Sequence, residues 1–314
     1  MQQSILVVSC NPAVDKIIYL PTFLLGGIHR AAQDQVVQSA GGKGVNVARM
    51  CAQAGANVRS LGFAAGEAGH WIASDLLSRG VAVDYIWLDG ETRTNINIIS
   101  ESPNIETEIL EAGPIATEAA CATLLAQFQL LLSTTSLVVL SGGLAPGMAS
   151  DTYAKMIRLA RAQNIPSILD ASGAALKLGV AAGPTLAKPN VRELAELVGH
   201  ALESEAEIQA ACQQILTDTD LQVLVLSRGA KGALLAQLDP GGAVSFQDVT
   251  AVDLVPVNTL GCGDAMVAGL ACGLVSGETI AQMMTRGMAF AASNALHAEI
   301  GFVSTEEIGR YLHE

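Results

Sequence analysis

The stretch of the sequence best suited to chemistry is a glycine-rich turn followed by a carboxylate, at residues 258–264, which read Asn-Thr-Leu-Gly-Cys-Gly-Asp. Gly261 and Gly263 let the backbone turn tightly and leave its N–H groups uncovered. A helical pattern follows Asp264, so these N–H groups would lie at a helix N-terminus, which favours an anion. An anion cradle beside a carboxylate suits phosphoryl transfer. An Asp in the first turn of a helix is also a common structural arrangement, and this segment alone leaves both interpretations open.

A second glycine-rich turn, at residues 41–44, also leads into a helical pattern. It is not a Walker loop, because Lys43 is followed by Gly44 rather than by Ser or Thr. It nevertheless places bare backbone and one lysine at the start of a helix. Asn46 in the same helix could contact a ligand, although a capping role is the commoner one for such a residue.

Asp15 stands just after the apolar run 5–10, which we predict to be a buried strand that ends before Pro12. Ligands of open α/β sheets collect near the carboxyl ends of strands. Asp15 is therefore a candidate ligand contact, with an Asx-turn residue as an equally weighted alternative.

The composition restricts the class of protein. The chain has 314 residues, of which 50% are hydrophobic and 15% charged, so it can bury a substantial core. Its net charge of −13 argues against a nucleic acid or an anionic membrane as the main partner, and a phosphorylated substrate would need a local basic pocket. Six scattered cysteines without a CxxC pair indicate reduced thiols. With no signal-peptide pattern and no membrane-spanning run, we expect a soluble, cytoplasmic protein.

The elements that must position these residues alternate between strand and helix, which predicts an α/β fold with a mainly parallel sheet covered on both faces. The predicted strands are 5–10, 57–63, 81–88, 94–100, 137–140, 167–170, 185–187 and 223–226, with two further extended runs after residue 232. The predicted helices are 70–78, 117–132, 153–163, 204–216 and 279–296, with others starting near Gly44, Asn190 and Gly261 and one at the C-terminus. The segments at about 15–37 and 85–112 lack helices, and we expect them to pair as a small β-sheet lid on a single domain, 1–314.

Taken together, these segments resemble the PfkB carbohydrate kinase family, and within it the branch that acts on phosphosugars. The resemblance runs essentially end to end and implies the ribokinase-like three-layer fold with a small lid sheet. It depends on six segments in order, at residues 11–15, 41–48, 92–97, 140–147, 188–190 and 258–269.

The resemblance implies roles for residues around the acceptor sugar. Asp264 matches the general base, and the anion hole matches Gly261, Cys262 and Gly263. The positions that hold the sugar or its existing phosphate match Asp15, Arg30, Gly42, Lys43, Asn46, Arg93 and Ser141. Lys43 and Arg93 in a strongly acidic chain favour a phosphorylated substrate, since a neutral sugar has no use for two cations.

The resemblance also implies ATP and Mg²⁺ as cofactors. The positions that match the nucleotide site are Lys188, Asn190, Glu193, Ser227, Gly229, Gly232 and Thr259. Among them, Asn190 and Glu193 match the element near the hydration shell of Mg²⁺, which would be bound through water.

The implied activity is ATP-dependent phosphorylation of a ketohexose monophosphate, with fructose 1-phosphate converted to fructose 1,6-bisphosphate as the leading expectation. Tagatose 6-phosphate and fructose 6-phosphate are the alternatives, ahead of an unphosphorylated sugar or nucleoside. A catalytically idle sugar-phosphate sensor would not need the intact Asp264. A nicotinamide dehydrogenase fails because neither glycine-rich turn has the dinucleotide fingerprint. A homodimer formed through the lid is expected.

Two departures from the family pattern carry expectations of their own. Cys262 replaces a small Ala, and a thiolate at a helix N-terminus would be stabilised, so oxidation sensitivity is a hypothesis. Residues 298–301 replace a glycine-rich turn associated with a monovalent cation. The resemblance therefore does not predict activation by K⁺.

Overall fold

The computed structural model describes residues 3–103, 105–239 and 241–312. Within these ranges the strands are β1 (Ser4–Ser9), β2 (Ala13–Leu20), β3 (Val36–Gly41), β4 (Asn57–Ala64), β5 (Ala82–Trp87), β6 (Thr94–Ser100), β7 (Ile105–Leu110), β8 (Leu137–Ser141), β9 (Ser167–Asp170), β10 (Leu186–Ala187), β11 (Val223–Ser227), β12 (Ala233–Leu238) and β13 (Val244–Val249). The α-helices are α1 (Lys43–Gln53), α2 (Gly66–Ser78), α3 (Glu118–Leu132), α4 (Thr152–Ala162), α5 (Gly173–Ala181), α6 (Val191–Val198), α7 (Glu205–Asp218), α8 (Cys262–Val275), α9 (Ile280–Ala295) and α10 (Thr305–Tyr311).

Nine strands form one large sheet in the order β13-β12-β11-β10-β9-β8-β1-β4-β5. The last seven strands in this order, from β11 through β1 to β5, pair in parallel, and β12 and β13 add an antiparallel edge. In β1, Leu6 and Val8 pack into one hydrophobic cluster and Ile5 and Val7 into another. This two-residue alternation, buried on both sides, is expected of a parallel sheet between two helical layers.

Helices cover both faces of the large sheet. Side chains of α3 to α7 join the strands in one cluster, and side chains of α1, α2, α8, α9 and α10 join them in the other. The helix α8 is apolar on all sides because it packs against the sheet, α1 and α9 together. Even so, none of the helices in the described ranges is long and apolar enough to cross a membrane. The predicted three-layer α/β fold with a mainly parallel sheet is confirmed.

A second, four-stranded sheet in the order β3-β2-β6-β7 forms the lid. Here β2 and β3 are antiparallel, β2 and β6 parallel, and β6 and β7 antiparallel. The lid differs from the predicted segments at one point, because β5 belongs to the large sheet, where Tyr85 pairs with Gly62 of β4. The turn after β5 therefore leads from the large sheet to the lid, and the lid part of this segment begins at β6.

The helix α5 was not predicted from the sequence. Its segment is rich in glycine, including Gly173 and Gly179, and glycine weakens a helical pattern. The second glycine has a packing reason, because a Cβ on Gly179 would lie 2.6 Å from Cδ2 of Leu169 in β9. The close packing of α5 on the sheet therefore explains why a residue of low helix propensity, Gly179, occurs in this helix.

Candidate active site

Polar side chains collect at the carboxyl-terminal edge of the large sheet. Ser141 ends β8, Asp170 ends β9, Lys188 follows β10 and Ser227 ends β11. Backbone hydrogen bonds hold these ends together: Lys188 N donates to Leu169 O at 3.0 Å, and Ser227 N donates to Pro189 O at 3.0 Å. The edge of the parallel strands therefore forms one continuous polar surface, the usual ligand position in such folds.

Asp170 is the charged centre of this surface. It is fully buried. Its Oδ1 accepts a hydrogen bond from Lys43 Nζ at 3.2 Å and lies 3.4 Å from Lys188 Nζ. Burial alone would raise the pKa of Asp170, but Lys188 and Lys43 outweigh it and hold that pKa below its ordinary value. The pKa of Lys43 is raised, mainly by Asp170. Asp170 was not among the site residues predicted from the sequence. It ends β9, and a strand-end position was the signal used to choose Asp15, so the same signal could have found Asp170.

Asp264 lies in the first turn of α8, beside this charged centre, and is 7% exposed. Its Oδ2 accepts a hydrogen bond from Asn46 Nδ2 at 2.8 Å. Burial raises the pKa of Asp264 to about 7, although Lys43 acts in the opposite direction. A carboxylate with a pKa near neutrality can take up a proton during a reaction and return it to solvent afterwards.

The anion loop, residues 260–263, precedes Asp264 at the start of α8. Gly261 has a φ of 80°, and a Cβ there would lie 2.9 Å from Ile300 Cγ2, so the position needs glycine. The first amide to donate inside the helix is that of Ala265, to Gly261 O at 2.8 Å. The amides of Gly263 and Asp264 therefore remain for a ligand. A Cβ on the exposed Gly263 would lie 3.5 Å from the Lys188 ammonium, so a cation stands beside these amides.

The oxidation hypothesis requires a low pKa for the thiol of Cys262, and the surroundings of this residue act in the opposite direction. The side chain is half-buried, and its Sγ accepts from Asn294 Nδ2 at 3.5 Å. Burial raises the pKa of the Cys262 thiol, and the hydrogen bond from Asn294 offsets only part of this. The thiolate expected at this helix N-terminus is therefore disfavoured.

The lid contributes Asp15 from β2. Its Oδ1 accepts from Asn95 Nδ2 at 2.8 Å, and its Oδ2 accepts from Gly42 N at 3.3 Å. A Cβ on Gly41 would lie 1.9 Å from that Oδ2, so the glycine is needed for the close approach. Burial raises the pKa of Asp15, although the hydrogen bond from Asn95 opposes this. Sequence reasoning found Asp15 and Gly42 but did not select Asn95, which faces Asp15 across the two strands.

The two lid arginines differ in their surroundings. The half-buried Arg93 donates to Asn11 O from Nε at 3.3 Å and from Nη2 at 3.0 Å, and its Nη1 donates to Asn95 Oδ1 and Glu111 O at 3.3 and 3.2 Å. These bonds leave one N–H of Nη2 without an acceptor among the described residues. Burial lowers the pKa of Arg93. Arg30 lies exposed in the loop between β2 and β3, and its side chain has no hydrogen bond or ion pair with any of the described residues.

The residues predicted for the nucleotide lie around the start of α6. Asn190 caps this helix: its Oδ1 accepts from Glu193 N at 2.9 Å, and Glu193 Oε2 accepts from Asn190 N at 2.9 Å. Asn190 also forms an isolated bridge with Ser227. Gly229 and Gly232 both have positive φ, 58° and 82°. Thr259 is exposed beside the anion loop.

The donors at this edge fit Mg²⁺ only with help from other ligands. No cluster of three or more His, Cys, Asp or Glu that could hold a metal occurs in the described part of the chain. Glu193 has one carboxylate oxygen in the helix cap, and Asp170 has one buried oxygen, Oδ2, without a hydrogen-bond partner among the described residues. Mg²⁺ commonly takes one or two carboxylates and completes its shell with phosphate oxygens and water, and this donor set is compatible with that mode.

Comparisons with known proteins identify the family of the chain. The model of the pfkB family of carbohydrate kinases matches residues 9–306. A curated tagatose-6-phosphate kinase from Staphylococcus epidermidis is 32% identical over 306 residues, which are 96% of this chain and 96% of the relative.

Solved structures of relatives superpose on nearly all of the chain. Phosphofructokinase-2 from Escherichia coli in complex with potassium has a TM-score of 0.88 at 26% identity and covers 99% of this chain and 98% of its own. A protein from Thermotoga maritima described as a possible 1-phosphofructokinase has a TM-score of 0.88 at 25% identity, with 99% and 98% covered.

Proposed function

Because this chain belongs to the pfkB family of carbohydrate kinases, we propose that it transfers the γ-phosphoryl group of ATP to a hydroxyl of a ketohexose monophosphate. The observation that carries the proposal is the placement of Asp264. Its buried carboxylate, with a pKa raised by burial to about 7, lies at the N-terminus of α8 beside open amides and two lysines.

In the proposed reaction the sugar hydroxyl oxygen attacks the γ-phosphorus, and the bond to the oxygen that bridges the β- and γ-phosphates breaks. Asp264 accepts the hydroxyl proton, since a base needs only hydrogen-bond reach and a suitable pKa. The free amides of the anion loop and the Lys188 ammonium offset the negative charge on the transferring group. Asp15, Asn46 and Asn95 orient the sugar. Glu193, Asn190 and Asp170 would hold Mg²⁺, which when bound neutralises phosphate charge.

The charge pattern supports a substrate that already carries a phosphate. Lys43 and Lys188 share one carboxylate oxygen of Asp170, so this carboxylate cannot neutralise both ammonium groups. Arg93 adds a third cation on the lid side, with one N–H uncommitted. With Lys188 assigned to the transferring group, Lys43 and Arg93 are the cations proposed for the existing phosphate, and a chain of net charge −13 needs such local cations to bind a dianionic phosphate ester.

Fructose 1-phosphate, tagatose 6-phosphate and fructose 6-phosphate are the proposed substrates to be distinguished. The expectation from sequence favours fructose 1-phosphate, and the name of the Staphylococcus epidermidis relative supports tagatose 6-phosphate. Both solved relatives are about equally distant from this chain, at 26% and 25% identity, so similarity to them does not rank the three.

The test is a coupled assay of ADP release with Mg-ATP that compares the three phosphate esters and fructose side by side. We expect turnover on one ester and none on fructose. The variant Asp264→Asn serves as the matched inactive control for each substrate. Turnover on fructose alone would contradict the proposed role of Lys43 and Arg93, and a silent panel with intact ATP binding would contradict the proposed substrate class.

We propose further that two copies pair through their lids. Leu25 and Ile28, in the loop between β2 and β3, are 99% and 84% exposed, and Ile109 and Leu110 of β7 are more than half exposed. Large apolar side chains exposed on the lid sheet and on its β2–β3 loop are typical of a protein interface.

A further inference from the structure

Arg49 of α1 has no role in the chemistry described above, yet its side chain is fully buried. Its Nη1 donates to Ala40 O at 2.7 Å and to Ile300 O at 3.2 Å. Its Nη2 donates to the Glu299 carboxylate, and its Nε lies 3.4 Å from Asp75 Oδ2. A buried charge is costly unless it is paired in this way. What requires explanation is that one nitrogen, Nη1, holds two carbonyl groups from distant parts of the chain.

The first of these carbonyls, Ala40 O, lies at the end of the lid next to Asp15, the proposed sugar ligand, which is called here the sugar-side end of the lid. Ala40 lies in β3, pairs with Val14 of β2, and directly precedes Gly41. Two residues after Ala40, the amide of Gly42 donates to Asp15 at 3.3 Å. The Arg49 guanidinium therefore fixes the backbone at the point where the lid strand turns into the sugar site.

The second carbonyl belongs to the turn behind the anion loop. Gly301 N donates to Asn294 Oδ1 at 3.1 Å, and Asn294 Nδ2 donates to Leu260 O at 2.8 Å. The side chain of Ile300 packs so closely on this loop that a Cβ on Gly261 would lie 2.9 Å from its Cγ2. A shift of the turn therefore has to move the anion loop.

We propose that Arg49 is a positioning residue that sets the anion loop relative to the sugar-side end of the lid, through the nitrogen that it shares between Ala40 O and Ile300 O. A guanidinium can do this while its other nitrogens face Glu299 and Asp75, because its donors diverge in one plane. A lysine ammonium is a point donor on a flexible stem and cannot hold the four partners in that arrangement. The inference rests on the proposed function only where catalytic rate is the readout.

The test compares Arg49→Lys with the matched control Arg79→Lys. Arg79 also contacts Asp75 and Glu299, at 3.1 and 3.0 Å, but neither of the two carbonyls. For Arg49→Lys we expect kcat to fall about 10–100-fold with little change in either KM, the effect of a misplaced reacting group rather than of lost binding. Arg79→Lys should keep the kcat of the unmodified protein.

Amide hydrogen exchange without any substrate is the second readout. Exchange at residues 260–263 and 299–301 should speed up in Arg49→Lys and not in Arg79→Lys. If the two variants lose kcat and thermal stability equally, or if exchange in the anion loop is unchanged in Arg49→Lys, the positioning role is wrong. Because exchange does not depend on turnover, this outcome is separable from failure of the proposed function.

Should Arg49→Lys fail to fold, Glu299→Gln tests the same coupling from its solvent side. The Glu299 side chain is 38% exposed, so the variant weakens the hold on Arg49 without burying a new charge. Faster exchange at residues 260–263 would support the proposal, and unchanged exchange there would overturn it.

Discussion

The two sides of the site are built on different principles. On the side of the large sheet, the polar groups are charges in direct contact, with Asp170 between Lys43 and Lys188, and Asp264 beside them. On the lid side, Asp15 and Arg93 are held by amide and carbonyl groups. The difference lies in the partners rather than in burial, because Asp15 and Asp264 are equally buried, at 6% and 7% exposed. Asp264 and Asp170 have charged neighbours, whereas the hydrogen-bond partners of Asp15 and Arg93 are neutral amide and carbonyl groups.

This difference suits the two sides to different functions, the chemical step on one side and substrate positioning on the other. The buried charges shift each other's pKa values and can therefore move a proton and stabilise a phosphoryl group. The lid groups are already engaged with neighbours and so are suited to fixing the position of a substrate. Mutations on the two sides should consequently affect different kinetic constants.

The largest contrast is expected between Asp264→Asn and Asp15→Asn, which make the same chemical change on the two sides. Asp264→Asn should lower kcat by about 10²–10⁴-fold, the usual contribution of a general base, and leave ATP binding intact. Asp15→Asn should mainly raise KM for the sugar phosphate. Steady-state kinetics and calorimetric ATP binding check both, and a near-normal kcat in Asp264→Asn would show that the assignment of the base is wrong.

A second contrast lies within the lid, between its two arginines. Arg93→Gln should raise KM for the sugar phosphate about 10–100-fold, the loss expected for one or two charge-assisted hydrogen bonds, and leave KM for ATP nearly unchanged. Arg30→Gln makes the same charge change at an exposed position and should have little effect at a protein concentration where the chain is monomeric. Equal effects of the two variants on the sugar-phosphate KM would contradict the distinction.

The pH dependence of the rate tests the electrostatic side. The proposed base, Asp264, can accept a proton only when it is deprotonated, and burial raises its pKa to about 7. The value of kcat/KM should therefore be constant above that pH and fall about tenfold per pH unit below it. Lys43→Met should move this profile to higher pH, because Lys43 lowers the pKa of Asp264. Arg93→Gln is the control and should leave the profile in place, so a shift of similar size in this variant would contradict the division between the two sides.

The smallest effect on catalysis is expected from the outer surface of the lid. Leu25→Asp places a charge on a side chain that is 99% exposed, and it should abolish pairing of two copies while changing kcat little. Light scattering after gel filtration measures the mass in solution. Leu130→Asp, at a 70% exposed position on α3, is the matched control and should leave that mass unchanged.

Much of this molecule could be predicted from local signals. The alternation of apolar runs and helical patterns predicted the layered α/β fold, because the periods of strand and helix are written in neighbouring residues. The glycine-rich turns before Lys43 and Asp264 pointed to helix N-termini, and Ser141 was found at the end of β8. The prediction that Asp15 stands at the end of the first strand is wrong, because the chain resumes strand pairing at Ala13 and Asp15 lies within β2. The lid boundary was less accessible, because β5 and β6 are both short extended runs and only pairing partners assign them to different sheets.

By itself, the sequence determined which residues stand at chain turns and strand ends, since turn chemistry and periodicity are local properties. Only the tertiary structure decided which of these residues meet. Lys43 and Asp170 are 127 residues apart, and Asn46 and Asp264 are 218 apart, yet each pair is in hydrogen-bond contact. The raised pKa of Asp264 and the lowered pKa of Asp170 arise from burial and from these partners. Both pKa shifts depend on how the fold brings distant residues together. The strength of a charge interaction is set by distance and by exclusion of water rather than by separation along the chain.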